Sequence, residues 1–213
     1  MRPGSAFGAL IGLALGGALL LVAAALRFLR AGLPPSDRSA PTITWHGILI
    51  PGSGDLYIHL VSYALLALLL GGACRALWRA ARQLRRTRRF VAARLATPGA
   101  RSTRLVRAAR RAGLAGRCDL VADARPLAFC HGLRRPRVVV STGLLALLEG
   151  PELEAVLRHE AYHAVSRDPL RLVTADFLTS ACFFLPLLGP LRDRYVVAAE
   201  LAADRHAVRG MGA

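Results

Sequence analysis

Two stretches without a single Asp, Glu, Lys or Arg, residues 6–26 and 56–74, constrain this chain more than anything else in it. At 1.5 Å rise per residue, each is long enough to cross a hydrocarbon layer of about 30 Å as a helix. With 54% hydrophobic residues and a mean hydropathy of +0.40, the whole chain reads as membrane-integrated rather than soluble. A cleaved signal peptide is the rival for the first stretch, given Ala23-Ala24-Ala25. Its apolar run exceeds the roughly 7–15 residues usual for such peptides, and Arg27 follows directly, so an uncleaved anchor is expected.

Charge sets the expected orientation. The formal net charge is +16, and the 29 basic residues are all Arg. Arg75, Arg79, Arg82, Arg85, Arg86, Arg88, Arg89 and Arg94 follow the second apolar stretch closely, a positive-inside pattern that predicts a cytoplasmic face there. Residues 27–55, with Pro34-Pro35 and Gly52-Ser53-Gly54, then form a short extracytoplasmic loop. Arg27, Arg30 and Arg38 weigh the other way but are outnumbered. Anionic headgroups of the lipid bilayer are the expected partner of the segment from Arg75 to Arg94. Nucleic acid is the rival partner, weakened because residues 75–111 interleave no aromatics beyond Trp78 and Phe90.

Chemistry enters at His159-Glu160-Ala161-Tyr162-His163. On a helix, residues four apart share a face, so both imidazoles can reach one ion while Glu160, rotated by about 100°, can hold a water. Pro151, Glu152 and Glu154 just upstream suit the first turn of such a helix. Two His supply two ligands, and a catalytic zinc ion (Zn2+) takes a third protein ligand plus water. Glu200 is the best candidate, and Asp204, one turn on, shares its face and can accept a hydrogen bond from the second nitrogen of a ligand imidazole. The run Arg137–Ser141 before the helix is expected to be a strand, either buried in the core or an edge that holds an extended peptide.

A third uncharged stretch, residues 177–191, separates His163 from Glu200. A single crossing there would put ligands of one ion on opposite sides of the bilayer. It is short for a span and interrupted by Pro186 and Pro190, so a re-entrant, interfacial or buried helical hairpin is expected.

The run from Phe129 through His206 resembles the zinc domain of the BlaR/MecR-type membrane metallopeptidases and, more distantly, the CAAX prenyl protease and HtpX-type enzymes. The resemblance rests on residues 132–140, the site helix 151–160, Arg167-Asp168, Phe183-Phe184-Leu185-Pro186 and the Glu200/Asp204 segment. It implies that His159, His163 and Glu200 are zinc ligands, Glu160 is the general base and Asp204 supports a ligand, with Tyr162 a small departure inside the motif. The expectation that follows is a membrane-anchored zinc endopeptidase, cytoplasmic on its catalytic side, acting on a protein or peptide substrate in signalling or regulator cleavage. The alternative class is a non-catalytic scaffold or signal transducer that keeps the fold.

The expected fold is a mostly α membrane protein with two transmembrane helices, about 6–26 and 56–77, plus a small α+β zincin-like domain with a short sheet. Its parts are residues 1–77 as the membrane unit, 78–116 as a basic helical connector and 117–213 as the zinc domain. Strands are expected near 119–121, 127–130 and 137–140, and helices over 151–166 and about 195–208. Relatives continue into a further membrane helix, so a C-terminal truncation is expected. Cys74, Cys118, Cys130 and Cys182 show no paired spacing and read as reduced thiols. His206 reads as an ordinary polar helix residue, and Arg167-Asp168 as a local ion pair or cap rather than chemistry.

Overall fold

The structure, a computed structural model, describes residues 3–31, 43–45, 48–50, 53–95 and 102–211. It is mostly helical, with two helices that qualify by length and composition as membrane spans and a small mixed sheet, as the sequence indicates. Helix α1 covers Pro3–Ala31 and α2 covers Ser53–Arg94; between them β1 (Ile43–Trp45) and β2 (Ile48–Ile50) pair antiparallel. Only 17% of the apolar window of each long helix is buried, which distinguishes them from core helices of a soluble domain. Most of the loop expected on the far side of the membrane, including Pro34, Pro35 and Arg38, lies outside the described residues, as do residues 212 and 213.

Helix α2 has no break where its apolar part meets its arginines. No proline interrupts it and its only internal glycines after Gly54 are Gly71 and Gly72, so the arginine-rich part continues the apolar part as one rod to Arg94. A separate helix α3, Thr103–Arg111, follows rather than continuing it. The end of α2 joins the sheet directly: the amide of Ala122 donates to Arg94 O at 2.8 Å, and Leu95 bridges Val121.

The second sheet has strands β3 (Cys118–Val121), β4 (Ala128–His131) and β5 (Arg137–Ser141) in the order β3-β5-β4. β5 lies parallel to β3 and antiparallel to β4. This excludes the sequence option that Arg137–Ser141 offers an edge to a substrate, because β5 is central and hydrogen-bonded on both sides. Period-two alternation explains the burial of all three of its valines. Val138 and Val140 join the core formed with α3 and α5, while Val139 packs with Val91 and Val121 on the face that receives the end of α2.

Helix α4 (Thr142–Leu147) begins at Ser141, whose hydroxyl accepts from the Leu144 amide, and leads to α5 (Gly150–Ser166). Glu149 and Glu152 form a reciprocal cap at the start of α5, with Pro151 in its first turn. Arg167, with φ 55°, is the left-handed residue that turns the chain from α5 into α6 (Asp168–Ala181). The third apolar stretch is a helical hairpin: the end of α6, a turn over residues 182–187 containing Pro186, and the start of α7 (Leu188–Met211).

That hairpin wedges against both long helices. Leu10 and Ala14 of α1 pack with Ala175, Cys182 and Leu188, and Arg75 Nη2 of α2 donates to Ser180 O at 2.9 Å. A Cβ at Gly72 would collide with the carbonyl oxygen of Ala181, and one at Gly17 with the side chain of Leu185. Glycine thus permits the close approach of α1 and α2 to the hairpin.

Candidate metal centre

Helix α5 lies with Leu153, Leu157, Ala161 and Ala164 against the sheet and α3, which turns the neighbouring stripe of His159, Glu160 and His163 outward into a pocket. Helix α7 crosses over this stripe because the hairpin returns it from the membrane-facing end, anchored by Tyr195 and Ala199 against Ala6 and Phe7 of α1. Glu200 and Asp204 thereby arrive beside α5.

His159 Nε2 and His163 Nε2 face each other at 3.1 Å. Glu200 Oε2 lies 3.4 Å from the first and Glu200 Oε1 3.9 Å from the second. The outer nitrogens each meet a carboxylate: His159 Nδ1 is 2.9 Å from Asp204 Oδ1, and His163 Nδ1 is 2.8 Å from Asp168 Oδ2. The Tyr195 hydroxyl donates to the other oxygen of Asp168 at 2.9 Å.

With each Nδ1–H given to a carboxylate, a neutral imidazole turns its Nε2 lone pair inward, so both rings and the Glu200 carboxylate can present acceptor atoms to one cation. Tetrahedral zinc with bonds of about 2.0–2.1 Å sets its ligand atoms roughly 3.3 Å apart, a spacing the observed 3.1, 3.4 and 3.9 Å separations bracket. The donor set therefore fits a zinc ion.

Glu160 sits at the side of the pair, toward β4. Burial, first of all, raises its carboxyl above the ordinary glutamate range, the nearby His163 and His159 pull it down, and Glu200 pushes it up. Burial pushes His163 down, but the hydrogen bond to Asp168 and the charges of Glu160, Asp168 and Glu200 outweigh it, so its net shift is upward. A cavity of about 290 Å³ opens in front of these groups, walled by Phe129 and Cys130 of β4 on one side and Tyr195, Val196 and Ala199 of α7 on the other. The outer side of β4 carries no further strand among the described residues.

Asp168 is the residue that sequence reasoning missed. Arg167-Asp168 reads as a cap, yet the left-handed turn at Arg167 folds Asp168 back onto His163, five positions earlier. An Asp followed by Pro immediately after a helix that carries a candidate ligand was the available signal. Tyr195, which steadies Asp168, had no signal beyond its place on α7. His206 is exposed, with its ring centroid 5.8 Å from that of Tyr162 and tilted 46° to it, and is not one of the three clustered groups. The four cysteines are free thiols, and burial, chiefly, drives those of Cys118 and Cys130 up to about 12.

Similarity to known proteins covers the stretch that contains His159, His163 and Glu200. Residues 95–200 match the profile of peptidase family M48. A Protease HtpX homolog 2 from Methanosarcina mazei is 44% identical over 62 residues, 28% of this chain and 21% of the relative. The plastoglobule-localized metallopeptidase 48 of the Arabidopsis thaliana chloroplast is 34% identical over 83 residues, 35% of this chain and 24% of its own. A Protease HtpX from a Psychrobacter species is 35% identical over 82 residues, 37% of this chain and 27% of its own. The chain thus spans only 21% to 27% of the length of these relatives. No solved structure matches. The matches support an HtpX-type metallopeptidase, the more distant of the resemblances read from the sequence; they lend no support to the BlaR/MecR-type one.

Proposed function

We propose that this chain carries the catalytic centre of a membrane-anchored, zinc-dependent endopeptidase, with His159, His163 and Glu200 holding the zinc and Glu160 acting as general base. The observation that carries this reading is the inward pair of Nε2 atoms 3.1 Å apart, each imidazole backed by a carboxylate, with Glu200 closing the third side. Bound zinc supplies Lewis acidity, which lowers the pKa of water to about 7 and polarises a carbonyl.

The remaining steps belong to the protein's own groups. Glu160 takes a proton from water as the water oxygen attacks the peptide carbonyl carbon. It returns that proton to the amine nitrogen as the C–N bond breaks. A carboxyl raised by burial suits both roles, because a group whose pKa lies nearer neutrality can accept and then donate. Asp204 and Asp168 keep the two imidazoles in the Nδ1–H form and fix their planes. β4, which carries no further strand on its outer side among the described residues, offers backbone groups beside Phe129 to an extended substrate, while the Cys130 amide already donates to Glu160.

The setting favours substrates near the membrane. The hairpin turn packs among residues of the two candidate spans, and Glu200 lies twelve residues beyond the start of α7, about 18 Å along the helix. With the arginines of α2 on the cytoplasmic side, the site faces cytoplasmic or membrane-proximal proteins, and the same arginines meet anionic headgroups. A role in regulator cleavage or signalling belongs to this reading.

The test is metal analysis of the detergent-solubilised protein, wild type and Glu200→Ala, beside cleavage by Glu160→Gln. Stoichiometric zinc in the wild type, its loss in Glu200→Ala, and an inactive Glu160→Gln that keeps zinc are expected. Wild-type protein that takes up no zinc would mark a scaffold without turnover, and an active Glu160→Gln would remove Glu160 as base.

A further inference from the structure

At the end of the sheet where β4 finishes and β3 and β5 begin, Arg117, Arg134, Arg135, Arg137 and Arg167 surround a cavity of about 580 Å³ beneath the last turn of α5. Arg137 is engaged: its Nε and Nη2 each donate to Asp119 at 2.6 Å. The other four arginines are exposed, and none has a carboxylate partner among the described residues. Four unneutralised cations around one concavity repel one another and concentrate positive potential inside it, a field that an anion relieves.

The backbone that presents them is constrained. Gly132 has φ +94°, and a Cβ there would sit 2.8 Å from Arg135 O, so glycine is what allows the tight turn displaying Arg134 and Arg135. Arg167 occupies the left-handed junction between α5 and α6. The backbone that carries Arg134, Arg135 and Arg167 is thus held at set places on the rim.

Position narrows the anion's source. The cavity adjoins the candidate metal centre: Ala164 and Arg167 line the one, and their chain neighbours His163 and Asp168 line the other. A peptide extended along β4 and leaving past His131, which is paired with Arg137, runs toward Arg134 and Arg135. Lipid headgroups are the rival source, since Arg171, one turn into α6, lies over the ring of Phe7 in the first candidate span, but the course of β4 from the candidate metal centre to this cavity favours a peptide.

We infer that the arginine cavity binds acidic side chains of the substrate polypeptide, a run of Asp or Glu to one side of the scissile bond. The inference rests on the peptidase reading above and adds a substrate class to it. Arginine suits the task, since its planar fork pairs with a carboxylate through two hydrogen bonds.

The experiment uses the full chain in detergent and two readouts. Binding of fluorescein-labelled hexaglutamate to the Glu160→Gln protein is measured by anisotropy, with hexaglutamine as control. Cleavage of a proteome-derived peptide library by the zinc-loaded wild type is read by mass spectrometry. Replacing Arg134→Gln and Arg135→Gln together should weaken hexaglutamate binding about tenfold and abolish an Asp/Glu enrichment beside the cut bonds. Replacing the exposed Arg107→Gln and Arg110→Gln together, which removes the same charge elsewhere, should change neither. Equal hexaglutamate affinity in the Arg134/Arg135 variant overturns the inference, as does wild-type cleavage without acidic preference, and both leave the peptidase reading standing. Zinc-loaded wild type that cuts nothing while hexaglutamate binding still depends on these arginines refutes the peptidase reading and the cavity's substrate role with it. Vesicles of anionic lipid that displace hexaglutamate through the same arginines at lower concentration than free peptide assign the cavity to lipid and overturn the inference.

Discussion

Asp168 Oδ2 stands 2.8 Å from His163 Nδ1, although the two residues belong to different helices and are separated by a left-handed turn. Through this contact α6, which reaches toward the membrane, orients a group of the candidate metal centre. The carboxylate is nearly buried and also holds the Tyr195 hydroxyl, so losing it strands two donors at once. Asp168→Ala is expected to weaken zinc affinity by about 10- to 100-fold, while Asp168→Asn, whose carbonyl oxygen can still accept from His163 with its NH2 turned to donate to the Tyr195 hydroxyl oxygen, is expected to cost less. Competition with a calibrated chelator measures the difference; equal affinities for wild type and Asp168→Ala would show that His163 needs no such support.

Gly72 and Gly71 make an internal comparison on α2. A Cβ at Gly72 meets the carbonyl oxygen of Ala181, whereas nothing lies within 4 Å of one at Gly71. Gly72→Ala must push the hairpin away and is expected to destabilise by roughly 1–3 kcal/mol, as overpacking does. Gly71→Ala should be neutral or slightly stabilising, since alanine is the better helix former. Thermal unfolding in detergent separates them, and matching midpoints for the two variants would contradict the close approach.

The thiols of Cys118 and Cys130 should be silent. Burial, foremost, raises both to about 12, reinforced by Asp119 at the first and Glu160 at the second. At pH 8 almost none of either is thiolate, the nucleophilic form. Peptide mapping after iodoacetamide treatment should find both unmodified in the folded protein and both modified after denaturation. Rapid alkylation of Cys118 in the native state would refute the burial described.

Asp123 is expected to make stability acid-sensitive in a defined window. Hydrogen bonds from the side chain and backbone of Arg125, in that order, hold its carboxyl down to about 2, and Arg94 adds its charge from the end of α2. A carboxyl depressed in the folded state contributes stability that is complete above its unfolded value of about 3.9 and disappears as pH falls through its folded value. Unfolding midpoints of the wild type should therefore decline between about pH 4 and pH 2 more steeply than those of Asp123→Asn, and parallel curves would dismiss the clamp.

Legibility followed the range of the interaction. His159, Glu160 and His163 could be aligned from the chain alone because the 3.6-residue period of a helix is a local property, and the spans at 6–26 and 56–74 could be marked because bilayer thickness sets a length. The hairpin over 177–191 was readable for a similar reason, as Pro186 and Pro190 interrupt a stretch already short for a crossing. Asp168 was not, because its reach to His163 depends on one residue, Arg167, adopting a left-handed backbone that its type does not announce. The strand order was not either. Arg137–Ser141 has the β-branched composition of an edge or a centre alike, and only its pairing with β3 on one side and β4 on the other makes it central.

Residue order alone determined which segments are long and apolar enough to meet lipid, which helix carries the paired imidazoles, and that a zinc site there would need its third ligand on the same side of those segments. Tertiary structure decided that Glu200 and Asp204 arrive beside those imidazoles, that β4 rather than β5 ends the sheet among the described residues, and that Asp168 backs His163. The physical reason is that spans and helix faces are set by neighbours a few residues apart. The approach of α7 to α5 depends instead on a hairpin packed against α1 and α2, contacts between residues far apart in the chain.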